Sequence, residues 1–302
     1  MTLESKIKKA IKPYMGLPIA LSGGVDSSLL AALIKPKFAI SVRLPGDGRF
    51  NEIQYSEMVC KHLGIEHIIV DLDESTFDES TFDENVKSAV ITIGRPIPHF
   101  NIFPLFQMYK KLRQMGEDKV VLGDGPDETM CGYARDLIIN YLYKVYEFEA
   151  FEDYRPMIDK LLPKLSDAIS IVTGKPNDNP ATLNISDVDI LLMRPDMDDM
   201  SNRIARYFGI ENLRPYQDDV ELDNFMRDLP MKDKIKDVEF GKYALRKIAA
   251  KYLPKEIAWR KKKVGGPLFS PNKLKGWYKE DGEFGKTQWL KYQQNILDGQ
   301  DN

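Results

Sequence analysis

Cysteine and histidine are scarce in this chain. Cys60 and Cys131 are the two thiols, and His62, His67 and His99 the three imidazoles. Two thiols far apart in sequence, with no Cys-X-X-Cys, exclude a disulfide framework and a thiolate zinc site. Three scattered histidines make a His-based metal centre equally poor, and His67, which opens an apolar run, reads as a packed core histidine. No apolar run approaches the roughly 20 residues that a membrane-spanning helix needs. Lys6, Lys8, Lys9 and Lys12 interrupt the stretch where a secretory leader would be apolar. A cytoplasmic protein without membrane contact is therefore expected. A net charge of −3 argues against a nucleic-acid partner. No Gly/Pro-rich linker divides the 302 residues, and 43% hydrophobic content suffices for a full core, so residues 1–302 are expected to form a single unit.

What the chain does have is Ser22-Gly23-Gly24-Val25-Asp26-Ser27-Ser28, set between the apolar run Ile19-Ala20-Leu21 and a helix-like run from Leu29 to Ile34. Strand, glycine turn and helix start together build a phosphate cradle. The glycines permit positive φ, so that N–H groups converge at the positive end of a helix dipole. Ser22, Ser27 and Ser28 add hydroxyl donors. Asp26 would repel phosphate, so its presence implies a divalent cation between carboxylate and phosphates. The loop is not a Walker A motif, because no Gly-Lys-Ser/Thr closes it. Taken alone, the segment also suits a plain turn in which Asp26 and Ser27 cap a helix.

A second loop follows the apolar Lys119-Val120-Val121-Leu122: Gly123-Asp124-Gly125-Pro126-Asp127-Glu128, then Cys131-Gly132-Tyr133. By itself it would pass for an acidic surface turn. In a doubly wound sheet, however, ligands lie beyond the carboxyl ends of the strands, so both loops can face one crevice and offer Asp26 and Asp127 to one magnesium ion. The patterning around them predicts strands at about 18–21, 38–42, 67–71 and 119–122. Helices are expected at about 27–34, 52–63 and 103–115, with Asn51 as a start signal and Gly64 and Gly116 as stops. Alternating strands and helices mean an α/β fold with a parallel twisted sheet. From about residue 135 the pattern turns mainly helical, at 156–169, 196–208, 219–228 and 239–252.

Ser-Gly-Gly-X-Asp-Ser resembles the PP-loop of the ATP pyrophosphatase superfamily, which implies ATP cleavage between the α and β phosphates. The second loop is similar to the Ser-Gly-Glu-Gly-Ser-Asp-Glu…Gly-Gly-Tyr segment of the asparagine synthetase family, whose relatives include the β-lactam synthetases. Gly209-Ile210-Glu211…Arg214-Pro215-Tyr216…Asp218 resembles that family's Gly-Val-Glu…Val-Pro-Phe…Asp. Tyr252-Leu253-Pro254…Ala258-Trp259-Arg260-Lys261-Lys262 resembles its Tyr-Leu-Pro…Trp-Arg-Gln-Lys. All four blocks fall in the family's order over roughly residues 17 to 268.

The resemblance implies a synthetase domain with a nucleotide-binding α/β core at 1–135 and a mainly helical lobe at 136–302 that carries the catalytic lysine. The reaction implied is adenylation of a small-molecule carboxylate by Mg-ATP, followed by amide formation with ammonia or an amine. Ser22, Gly23, Gly24, Val25, Asp26 and Ser27 would hold phosphates, and Leu21, Val42 and Gly123 would contact adenosine. Asp26 and Asp127 would hold magnesium, Asp124 and Glu211 would orient or deprotonate the amine, and Lys262 would neutralise charge in the transition state. Two rival readings share the first loop: a non-catalytic nucleotide-binding regulatory subunit and a PP-loop tRNA-modifying enzyme. The oligomeric state is not legible.

The pattern departs from the family in three places. Asp124 stands where asparagine synthetases have glutamate, keeping the charge but one methylene shorter. The family's acceptor-holding segment falls on Ile97-Pro98-His99-Phe100-Asn101-Ile102, where apolar groups replace an arginine and two hydroxyls, so the acceptor acid is left open and aspartate is disfavoured. The first loop comes within about twenty residues of Met1, so an N-terminal glutaminase domain is expected to be absent, which leaves free ammonia, an amine, or ammonia delivered by a separate glutaminase subunit as the nucleophile.

Two further segments stand out. The acidic tandem duplication at Asp73–Glu84 reads as a lengthened surface loop in which Thr81 and Glu84 form a capping box. From Lys232 to Lys263 there are twelve Lys or Arg against four Asp or Glu, most of them expected in solvent.

Overall fold

The computed structural model describes residues 1–43, 53–72, 79–96, 102–133, 190, 194–237, 239–261 and 286–299. In chain order these form α1 (Leu3–Ala10), β1 (Ile19–Ala20), α2 (Val25–Ile34), β2 (Ala39–Arg43), α3 (Ile53–Leu63), β3 (His67–Asp71), α4 (Glu79–Ile93), α5 (Ile102–Gln114), β4 (Lys119–Val121) and α6 (Pro126–Thr129). After the next undescribed stretch come α7 (Arg194–Tyr207), β5 (Glu211–Leu213), α8 (Pro215–Asp218), α9 (Val220–Arg227), α10 (Met231–Lys234), α11 (Tyr243–Ala249), α12 (Lys255–Ala258) and α13 (Lys286–Leu297).

The strands form one parallel sheet in the order β3-β2-β1-β4-β5. Strands buried on both faces read as continuous apolar runs, which is why Ile19, Ala39, Ile40, Val120 and Val121 lack a polar alternation and are fully buried. One face is covered by α1, α2, α9 and α11 through Ile7, Leu29, Leu30, Ile34, Leu222 and Leu245. The other is covered by α4, α5, α7 and α13 through Ile93, Phe103, Phe106, Ile204 and Trp289. Gly64 and Gly116 follow α3 and α5 with φ of 67° and 80°, the left-handed stops expected of them. Cys60 and Cys131 are buried and unlinked.

The chain leaves β1 towards β2 on one side, and β4 flanks it on the other, so the strand order reverses between β1 and β4. A crevice opens at the carboxyl ends of strands at such a point. The loops after β1 and β4 both emerge there.

Three expectations change. The fifth strand comes from beyond residue 135, where the pattern reads as mainly helical and no strand was placed; β5 is three residues long, too short to carry a readable alternation. Helix α4 begins at Glu79, which places Thr81 inside the helix rather than at a capping box. Lys234, Lys242 and Arg246, in the basic stretch, are buried rather than solvated. The helices expected at 196–208, 219–228 and 239–252 appear as α7, α9 and α11, the last shorter; 156–169 lies outside the described residues. Among the described residues, no helix is long and apolar enough to cross a membrane.

Candidate active site

The first loop is built as its glycines require. Gly23 takes φ of 69°, and an added Cβ would stand 2.6 Å from Tyr55 Cβ and 2.7 Å from the Ser56 nitrogen, so no side chain fits there. Gly24, by contrast, is extended at φ −75° and serves as N-cap of α2 without any side-chain cap. The opening N–H groups of α2 are thereby left to a ligand, at the positive end of a ten-residue helix. Ser22 Oγ lies 3.3 Å from Ser27 Oγ and accepts from the Gly24 N–H, so the hydroxyls line the same turn.

The second loop meets the first backbone to backbone. A Cβ on Gly123 would be 2.8 Å from the Ser27 nitrogen and 2.9 Å from its Cα. Gly123→Ala must therefore part the two loops, at a cost of about 1–3 kcal/mol. Nucleotide affinity is expected to fall tenfold or more while the circular dichroism spectrum is kept, a result checked by calorimetric titration. Leu21, Val42 and Gly123 lie together at the carboxyl ends of β1, β2 and β4. The Leu21 carbonyl is fixed by Ser41 Oγ at 2.6 Å, and His67 Nε2 reaches Ser41 Oγ at 2.8 Å. With its proton given to Leu21, Ser41 must accept from His67, and burial lowers the imidazole pKa.

Asp26 and Asp127 converge on one cation, and it is a residue absent from the sequence reading. Lys242 Nζ lies 2.5 Å from Asp26 Oδ2 and 2.8 Å from Asp127 Oδ1. Its side chain is 7% exposed, and Lys242 is held at the left-handed φ of 55° with its N–H on the Met130 carbonyl. Such backbone conformations are costly outside glycine and gather at functional sites. Burial disfavours the ammonium, but Asp127 and Asp26 outweigh it and drive the Lys242 pKa up. Burial raises the Asp26 pKa, Lys242 opposes this, and Asp127 adds to it. Asp26 Oδ1 is buried without a hydrogen-bond partner.

Two carboxylates against one ammonium leave one negative charge, and the spare buried oxygen gives it a direction. These residues fit a divalent cation, whose remaining ligands would come from phosphate oxygens and water; no group of three or more His, Cys, Asp or Glu suited to a metal exists among the described residues. Lys242→Met would leave two carboxylates facing each other, and a loss of about 3–5 kcal/mol of stability is expected. Magnesium should restore part of it. Melting curves with and without the metal check this, and an unchanged midpoint would deny Lys242 the counter-ion role.

Arg246, one turn after Lys242, donates from Nη1 to the carbonyls of Ala258 (3.0 Å) and Arg260 (2.9 Å). The Arg260 guanidinium lies 3.5 Å over the Tyr55 ring and reaches the Gly23 carbonyl at 3.4 Å. Chain up to Lys261 is thus pinned beside the first loop. Lys261 itself is 73% exposed and pairs with Glu239, as expected of a solvent neighbour. Lys262 lies outside the described residues, as do Ile97, Pro98, His99, Phe100 and Asn101. In the second loop Glu128 is buried and receives the Tyr133 hydroxyl; burial pushes its pKa up to about 7.

Asp124 and Glu211 are not brought together. Glu211 pairs in register with Lys119 at the amino ends of β5 and β4, forms an ion pair with that lysine at 3.3 Å, and is 59% exposed. It lines a cavity of about 600 Å³ beside β5 whose wall also includes Asn202 and Arg214. Asp124 leaves the opposite end of β4, and its neighbour is Arg214, with Nε at 3.2 Å. A strand's length separates Glu211 from the amine-handling position expected of it. Asp198, whose pKa burial raises to about 6, meets the same Nε at 3.3 Å.

The signal for the missed cations was present. Lys242 and Arg246 are four apart on a helix whose other buried positions are Leu245, Ile248 and Ala249, so both lie near the apolar face rather than on the solvated one.

A glycine turn before an uncapped helix, set against a carboxylate loop at the switch point of a parallel sheet, defines an α/β nucleotide-binding protein of the PP-loop type. The family model for asparagine synthase matches residues 16–283, and the chain belongs to that family. It is 24% identical over 280 residues to asparagine synthetase B [glutamine-hydrolyzing] of Escherichia coli strain K12, covering 86% of this chain and 42% of the relative. It is 26% identical over 278 residues to the putative asparagine synthetase [glutamine-hydrolyzing] 1 of Methanocaldococcus jannaschii, covering 87% and 47%. A 62-residue stretch, 20% of this chain, is 37% identical to the NH(3)-dependent NAD(+) synthetase of Carboxydothermus hydrogenoformans. The chain thus spans less than half the length of its asparagine synthetase relatives.

Proposed function

We propose that this chain is an AMP-forming amide synthetase. A carboxylate oxygen attacks the α-phosphorus of ATP, the bond to the β-phosphate bridge breaks, and pyrophosphate leaves. An amine nitrogen then attacks the acyl-adenylate carbon; the C–N bond forms, the C–O bond to AMP breaks, and the nitrogen gives up a proton. The observation that carries this reading is the convergence of Asp26 and Asp127 on one buried point across the crevice, with Lys242 between them and an Asp26 oxygen unpartnered.

Asp26 and Asp127 would hold magnesium, which when bound screens the charge of the triphosphate. Ser22, Gly23, Gly24, Val25 and Ser27 cradle phosphate through the N–H groups of α2 and the two hydroxyls. Lys242 supplies a fixed positive charge beside that cradle, and Lys262 a second where the transition state becomes more negative. Leu21, Val42 and Gly123 receive the adenosine. Asp124 handles the nucleophile, which we assign as free ammonia or an amine, or ammonia passed on by a separate glutaminase subunit. The acceptor is a small carboxylic acid whose identity the apolar residues at 97, 98 and 100 leave to the screen below. We place the reaction in the cytoplasm.

The test is a screen of carboxylic acids with Mg-ATP and ammonia. AMP and pyrophosphate should appear in equal amounts with at least one acid. ADP as the stoichiometric product would overturn the reading.

A further inference from the structure

We infer that Arg214 is a positioning residue for Asp124, fixing its carboxylate at the mouth of the crevice to receive the attacking nitrogen. The inference rests on the amide-synthetase reading above.

Leu213, the last residue of β5, pairs with Val121 of β4. Arg214 therefore leaves the sheet level with the loop that carries Asp124. Its side chain is 6% exposed. Nη2 donates to Ser201 Oγ at 2.6 Å and Nη1 to Asn202 Oδ1 at 2.9 Å, both on α7, and the Arg214 N–H is held by Asp218 Oδ2 at 2.6 Å. A guanidinium anchored at both arms of its fork cannot swing, so the direction of Nε is set by the scaffold.

The two carboxylates on Nε differ in kind. Asp198 is 26% exposed and belongs to the wall behind the arginine, whereas Asp124 is 51% exposed. A side chain that open would ordinarily sample several rotamers. Here Oδ2 is engaged by Nε, and Oδ1 has no partner among the described residues. Arg214 is not needed to bury Asp124, which is not buried, and Ser201, Asn202 and Asp198 already satisfy much of the guanidinium. What the contact does is hold one oxygen so that the other presents a defined acceptor. A nitrogen nucleophile donating an N–H to Oδ1 is thereby oriented before attack; as the C–N bond forms, the proton it loses passes to Asp124 and on to water. Asp124 has one methylene less reach than a glutamate, and the family's similar block has valine where this chain has Arg214. The shortened acid and the arginine that holds it are a matched pair.

The test separates the two half-reactions, using an acid found by the screen. In Arg214→Gln, acid-dependent exchange of labelled pyrophosphate into ATP should stay within about twofold of wild type. Amide formation should fall about a hundredfold, the scale set by misplacing a reacting group by roughly 1 Å, with a raised KM for ammonia. Ser201→Ala, which keeps the charge and loosens one arm of the fork, should move the same quantities in the same direction by a smaller factor, and it serves if Arg214→Gln folds poorly. In an Asp124→Asn background, Arg214→Gln should add little, because the group it positions is already lost. Equal losses in exchange and amide formation, or additive losses in the double variant, overturn the positioning role while leaving the synthetase reading intact. Wild-type protein that supports exchange with no acid at all overturns both.

Discussion

Asp26→Asn is expected to abolish turnover while leaving the fold in place. Asp26 supplies one of the two carboxylates on Lys242 Nζ and a buried oxygen with no hydrogen-bond partner among the described residues. An amide at this position removes the negative charge that a divalent cation needs, and it aims an NH2 group or a neutral oxygen at the cation's place. Lys242 keeps Asp127 at 2.8 Å, so the buried ammonium is not orphaned and stability should change little. Asp127→Asn removes the more exposed of the two carboxylates and should have the same direction with a smaller effect. The measurement is pyrophosphate release across a magnesium titration, with a melting curve on each variant. Near-normal, metal-dependent rates in both variants would end the paired-carboxylate account.

Lys262→Met should bind ATP nearly as the wild type does and yet lose on the order of a thousandfold in rate, roughly 4 kcal/mol of transition-state stabilisation. The grounds are the alignment of Trp259-Arg260-Lys261-Lys262 with the family's Trp-Arg-Gln-Lys and the pinning of the preceding residues. Arg246 holds the Arg260 carbonyl, and Arg260 reaches the Gly23 carbonyl, so the chain is delivered to the phosphate cradle two residues before Lys262. A lysine that acts on developing charge lowers kcat and kcat/KM together and spares ground-state binding. Lys261→Met is the internal control. Its ammonium is in solvent on Glu239, and its loss should be nearly silent. If Lys261→Met is the damaging change and Lys262→Met is silent, the alignment is off by one.

How much of this was legible before the structure depends on whether a feature is local. The two loops were, because Gly23 and Gly123 are required where they stand, the first by its positive φ and both by contact with backbone, and such needs leave glycines in the sequence. The sheet was legible through its first four strands: the apolar runs of β1, β2 and β4 follow from burial, and the half-buried edge strand β3 keeps an apolar run of its own at Ile68–Val70. The fifth was not. Three residues carry no period, and with β5 unseen there was no register to say that Glu211 lies at the far end from Asp124. The block resemblance located Glu211 without saying which end of a strand it occupies. Lys242 was hidden for a different reason. In a run of twelve cations against four anions, what separates the buried lysine from its solvated neighbours is the pair of carboxylates waiting on it, and those come from residues more than a hundred positions away.

The contact of Gly123 with the Ser27 backbone, and of Gly23 with Tyr55 and Ser56, has a thermodynamic side. A crevice floor made of main chain resting on main chain has no side-chain rotamers to freeze and no gap to close when a ligand arrives. The nucleotide meets a surface whose conformational entropy was already spent in folding, so binding at the floor should be driven by contact and charge with little ordering penalty from these two loops. A floor without play also transmits displacement. A shift of α2 by a few tenths of an ångström moves the second loop by the same amount, and the distance between the phosphate cradle and the amine-handling end of the crevice is held as a single rigid spacing.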